Sequence, residues 1–212
     1  MIITWGSEYI GHVGFTANPE DYDAEPPIRS LWFDAGPVAM NADREAVALA
    51  LTFGRYASGR FQVVHKFSPV VAHAIEASMQ PVWTTPSPIE YYPKALPIGS
   101  RTLDVHWTDE PAPSLNLGNE AQLAIQRSDR SAGSMRGLNR MTLSSNAWLH
   151  ADTRGSELVQ IFPLIAVAVL FAEDLNADVL RIRGQFDESS DEWINLVRLL
   201  ATARLGITQV PA

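Results

Sequence analysis

Apolar residues recur at helical spacing from Ala46 to Ala57 (Ala46, Val47, Leu49, Ala50, Leu51, Phe53, Ala57). Asn41 or Asp43 stands just before them, placed to cap a helix by accepting from the free N–H groups of its first turn. Ser58-Gly59 ends that helix, and Arg60 to Phe67 reads as a strand. Ser68-Pro69 then opens a second helix, with Ser as cap and Pro in the first turn. Val70, Val71, Ala74, Ile75 and Met79 mark its apolar face. The same order of helix, strand, helix returns from Ala151 to Leu205. There Leu158 to Phe171 is apolar nearly all round, the mark of a helix buried on most sides. Pro163 either kinks it or marks its true first turn. Val179 to Arg183 alternates as a strand, Ser189 or Ser190 caps the last helix, and Gly206 ends it, with a mobile tail expected beyond.

The rest of the chain follows the shorter period of strands. Residues 2–16 predict one or two strands, Asn18 to Pro27 an acidic loop, and Ser30 to Ala35 a further short strand. Residues 81–118 hold half of the chain's 14 prolines, which suits loops and edge strands because proline cannot donate to a sheet ladder. Ile89 to Tyr92, Arg101 to Trp107 and Ala121 to Gln126 are the candidate strands here, with one or two more between Leu138 and Leu149. The expected fold is α/β or α+β: one globular domain over residues 1–212, a mixed sheet with packed helices, and two helix–strand–helix units flanking an antiparallel, Pro-rich middle section. An internal duplication relating residues 30–80 to 138–205 is one reading of the repeated order; an ordinary α/β layout is the other.

The chain's 212 residues are enough for one sizeable core, and 46% of them are hydrophobic. A formal net charge of -8 repels a nucleic-acid backbone. With no cysteine, disulfides, thiolate nucleophiles and Cys-ligated metals are excluded. Residues 1–17 lack the basic start and apolar core of a signal peptide, and no apolar run is long enough to span a bilayer. A cytoplasmic protein is therefore expected. Lys66 and Lys94 are the only lysines among 16 basic residues, a bias that reads as genome composition.

Two constellations offer chemistry. Asp104 and His106, two apart on a strand, point to one face, and His150 and Asp152 have the mirrored order. If the four converge, their imidazoles and carboxylates could hold a divalent metal with a position open for water, or form a general base with its orienting acid. The structural alternative places Asp104 and His106 on a solvated strand face and makes Asp152 or Thr153 a helix cap. Arg127, Arg130, Arg136 and Arg140 form the one basic island, with serines and glycines between them, and guanidinium forks of this kind hold phosphate or nucleic acid. The alternative is a solvated loop. His73 lies between apolar helix positions, so a partly buried, hydrogen-bonded histidine is expected.

Two functional classes follow. One is an interaction or assembly subunit, binding a protein partner or itself through the Pro-rich loops, where Trp83, Tyr91 and Tyr92 sit. The other is a hydrolase using Asp104, His106, His150 and Asp152, with a divalent metal as its candidate cofactor and a phosphorylated or nucleotide-like substrate held by the arginine loop.

Overall fold

The computed structural model describes residues 1–9, 11–107, 119–151 and 155–211. One mixed sheet carries the fold. Its strands are β1 (Ile2–Tyr9), β2 (His12–Asn18), β3 (Ser30–Phe33), β4 (Gly59–Phe67), β5 (Thr84–Ile89), β6 (Arg101–His106), β7 (Glu120–Arg127), β8 (Met135–Arg136), β9 (Arg140–Ser145), β10 (Ala177–Arg183) and β11 (Gly206–Val210). The helices are α1 (Ala42–Phe53), α2 (Pro69–Ser78), α3 (Glu157–Gln160), α4 (Phe162–Phe171) and α5 (Asp191–Thr202), joined by short 3₁₀ turns at Gly54–Tyr56 and Ala147–His150.

Across the sheet the order is β11-β10-β6-β7-β9-β3-β2-β1-β4-β5, with β8 paired to β9. Each half runs outward from the β9–β3 seam in the same chain order: β3-β2-β1-β4-β5 on one side, β9-β7-β6-β10-β11 on the other. Each half also ends in a helix, a strand, a helix and a parallel edge strand (α1-β4-α2-β5 and α4-β10-α5-β11). The halves meet antiparallel, where Phe33 pairs with Ser145. They differ in their middle strands, since β1-β2-β3 is an antiparallel meander while β6, β7 and β9 run parallel. The main strands of the middle section are therefore parallel, against the antiparallel expectation, with the two-residue β8 pairing antiparallel to β9. Alternation along a strand reports which face is buried and carries no information about the direction of its neighbour.

The helix signals act as the physics of capping requires. Asn41 Oδ1 accepts from the N–H groups of Asp43 and Arg44, Ser68 Oγ from Val71, and Ser190 Oγ from Trp193, each cap contributing about 1 kcal/mol. At Pro163 the chain breaks: α3 ends at Gln160, and α4 starts anew with the proline in its first turn. Every residue from Pro163 to Phe171 is buried. The strand expected at Ile89 to Tyr92 instead runs Thr84–Ile89 as β5, and Pro86 and Pro88 lie inside it, tolerated because it is the last strand of the sheet. The expected mobile tail is also corrected. The stretch after Gly206 is strand β11, paired to β10 over five residues from Val179 to Arg183.

The apolar face of the sheet (Phe15, Leu31, Phe33, Leu103, Val105, Leu123, Leu143, Leu180, Ile182) joins the helices in one core. Helix α1 is buried along its length, including Asp43, Arg44 and Glu45. These charges are met by named partners. Asp43 Oδ1 accepts from Ser68 N at 2.7 Å, Glu45 takes both the backbone N–H and the Nδ1 of His65, and Arg44 donates to the carbonyls of Ala203 and Pro97 at 3.4 Å. Desolvation pushes the Arg44 guanidinium pKa down, opposed by the charge of Glu173.

The segment between β5 and β6 crosses the first turn of α1 as a strap, tied there by Arg44 and seated beyond it where Gly99 lies against the backbone of Ala177. A Cβ on Gly99 would overlap the Ala177 carbonyl. Gly99→Ala is expected to lower stability by about 1–3 kcal/mol, the usual cost of overpacking. The readout is a shifted urea midpoint with an unchanged m-value.

Candidate functional site

Asp104 and His106 leave β6 on the face away from the helices, opposite Leu103 and Val105. The structure brings this pair together: His106 Nε2 lies 3.3 Å from Asp104 Oδ2. Neither is solvated. Asp104 is 7% exposed and His106 6%, which corrects the reading of this face as open to water. The carboxylate survives burial because β10 pairs in parallel with β6 and sets Arg181 beside Asp104. Arg181 Nε donates to Asp104 Oδ1 at 3.0 Å, and its NH2 donates to Glu120 Oε1 at 3.0 Å. The hydrogen bond to Asp104, ahead of that to Glu120, raises the guanidinium pKa against the desolvation that lowers it. Both oxygens of Asp104 are thus engaged, one by a cation and one by an imidazole.

His150 is elsewhere. It ends the 3₁₀ turn after β9, on the helical side of the sheet, packed edge-on to Phe53 of α1 with ring centroids 5.3 Å apart. Nε2 donates to the Ser30 carbonyl at 2.9 Å, and Nδ1 is buried without a partner. The proposed quartet therefore does not assemble: His150 and the Asp104–His106 pair lie on opposite faces of the sheet. Asp152 lies outside the described residues. Among the described residues, no three His, Asp or Glu side chains come together as metal ligands.

The arginines do not converge either. Arg127 aligns with Ser145 and Arg140 with Gln122 in the β7–β9 pair, a spacing of five strand residues or about 16 Å. Arg127 donates twice to Asp129, at 3.1 and 3.0 Å, and stacks 3.8 Å from the ring centroid of Trp148. Arg136 binds Asp174 at 2.9 Å and the Gly36 carbonyl. Arg130 and Arg140 are engaged as well. These cations fasten the β7–β9 connection to the body of the fold. His73 is exposed on the outer side of α2, away from the buried positions Val71 and Ile75. His65, on β4, is held at Nδ1 by Glu45.

Two clefts remain. One, of about 330 Å³, opens on the helical layer among the C-terminal turns of α1 and α2, the start of α4 and the side of α5 that carries Glu192, Asn195, Leu196 and Leu199. Leu51, Met79, Val82, Phe162, Leu196 and Leu199 make it apolar, and Arg55, Gln80, Glu192 and Asn195 rim it. The other, of about 360 Å³, lies at the C-terminal ends of β4 and β5 beneath the strap, and Lys66 and Lys94 both line it. Sequence reasoning missed both clefts, because each is assembled from elements far apart in the chain. Comparison with family models, with curated proteins and with solved structures finds no match to this chain.

Two outcomes test the charges. Asp104→Asn leaves Arg181 half-paired, so stability is expected to drop by about 1–3 kcal/mol, measured by urea unfolding. Burial lowers the His150 pKa from 6.5 to about 4. Between those values the unfolded chain binds a proton that the folded chain refuses, so stability falls as pH falls from 6.5 toward 4, by roughly 3 kcal/mol in all. His150→Gln is expected to remove this one-proton slope from the pH dependence of unfolding.

Proposed function

We propose that this protein is an interaction or assembly subunit that docks an apolar segment of a partner protein into the cleft between α1, α2, α4 and α5. One observation carries the reading: an apolar, surface-open groove ringed by polar side chains, with Val82 exposed in its wall and Trp83 exposed beside it. Val82, in the turn after α2, lines the groove and is itself exposed, and Trp83 beside it is 69% exposed. An apolar centre with a polar rim, next to an exposed tryptophan, is the anatomy of a protein interface with an anchoring hot spot. The hydrolase reading has less support, since the carboxylate of Asp104 is committed to Arg181 and His106, and His150 faces the other side of the sheet.

The test is site-specific photo-crosslinking from position 83 in the native host, read by mass spectrometry, with Val82→Glu and Val159→Glu, both in the groove wall, as competitors for the groove. A discrete conjugate that both substitutions abolish is the expected result. A monomer that gives no conjugate, or a conjugate unaffected by either glutamate, sinks the proposal.

A further inference from the structure

Lysine is nearly absent from this chain, yet its two lysines line one cleft. Lys66 is the penultimate residue of β4. Lys94 lies on the strap that follows β5, four residues after Glu90, whose N–H closes onto the carbonyl of Phe67. The cleft therefore sits outside the carboxyl ends of two parallel strands, where open α/β sheets bind their ligands, since the connecting loops diverge there. Its volume, about 360 Å³, is that of a small-molecule site.

Four kinds of group face this space. Lys66 and Lys94 bring two cations, both exposed and with no carboxylate within ion-pair distance among the described residues. Asp43 and Glu90 bring acceptors, each already holding one backbone N–H, from Ser68 and Tyr92 respectively. Tyr92, 91% exposed, and Pro93 bring apolar surface at the open edge, and Met40 also lines the cleft. The N-terminus of α1 also borders the cleft, but Asn41 Oδ1 takes the N–H groups of Asp43 and Arg44. The lysines, not the helix end, supply the attraction for an anion.

We infer that this cleft binds a small phosphate monoester carrying hydroxyl groups, with its phosphate between Lys66 and Lys94. Two ammonium groups match the charge of a phosphate monoester, which is about -1.5 to -2 near neutral pH. The carboxylates of Asp43 and Glu90 accept from ligand hydroxyls and oppose a bare polyanion. Tyr92 covers the organic part. A sugar phosphate and a nucleotide share this chemistry. The site is separate from the groove assigned above to a protein partner, so the two readings stand or fall independently.

Isothermal titration in phosphate-free buffer at low ionic strength tests the inference. The probes are glucose 6-phosphate, AMP, inorganic phosphate, glucose and adenosine, and the proteins are the wild type, Lys66→Gln, Lys94→Gln and Arg198→Gln. The last removes one exposed cation from α5, away from the cleft. At least one ester is expected to bind about tenfold or more tightly than its unphosphorylated counterpart and than inorganic phosphate. Each lysine substitution is expected to weaken that ester about tenfold, and Arg198→Gln less than about twofold. Which ester binds distinguishes a sugar phosphate from a nucleotide. Absence of ester binding at millimolar concentration overturns the inference. So does an affinity unchanged in both lysine variants, or one matched by inorganic phosphate alone. Urea midpoints equal to that of the wild type would show that the variants are folded.

Discussion

Helix α4 has no polar side to turn to water, and the architecture answers that constraint. A helix that is apolar all round must be covered on every side. Here the sheet lies beneath it and α1 lies alongside; the 3₁₀ turn at Ala147–His150 also touches it, and Phe171 meets Phe33 edge-on at 5.5 Å across the seam of the sheet. Phe33 is also the residue through which the two halves of the sheet pair. The centre of the sheet and the centre of the helical layer are therefore joined through one aromatic contact, and the parallel edge units extend outward from it.

Covering α4 has a consequence for its neighbour. Helix α1 carries three charged residues in its first turns, and it is drawn into the core with them. Each charge then needs a fixed partner, since an unpaired buried charge costs far more than the pairing returns. Asp43 and Glu45 find theirs on the end of β4 and the start of α2, at Ser68 and His65. Arg44 donates to carbonyls on the strap and at the end of α5, with the charge of Glu173 acting on it as well. The buried polar pairs thus tie together segments that the hydrophobic core alone would leave free to slide, and they fix where the strap crosses α1.

Local signals in the chain were readable because each acts within a few residues. The caps at Asn41, Ser68 and Ser190, the break at Pro163 and the all-round burial of Leu164 to Phe171 all follow from neighbouring side chains and backbone groups. Strand direction and strand order are different. That β6, β7 and β9 run parallel, and that β10 sits beside β6, depends on pairings between residues tens of positions apart. Arg181 illustrates the loss. In the sequence it is one polar residue of an alternating strand; only the β10–β6 register shows that it neutralises Asp104. The Asp104–His106 pair was legible because it spans two residues of one strand. Its separation from His150 was not, because that depends on which face of the sheet the turn after β9 packs against.

The same distinction explains the lysines. As composition, two lysines among 16 basic residues suggest only a preference for arginine. Their meaning changes with position, because β4 and the strap deliver both to one cleft whose floor is the first turn of α1. That floor is rigid for reasons already present in the fold: Asn41 caps the helix, Asp43 and Glu45 are bonded across to the β4–α2 corner, and Arg44 holds the strap from below. A floor set by the core loses little conformational freedom when the site takes a ligand, so the ordering cost falls on the exposed side chains of Lys66, Tyr92 and Lys94. The other end of the same helix, at Leu51, forms a wall of the apolar groove about 12 Å from Asp43, at 1.5 Å per residue. Helix α1, charged at its start and apolar at its end, is buried as the partner of α4 and carries a different kind of cleft at each end.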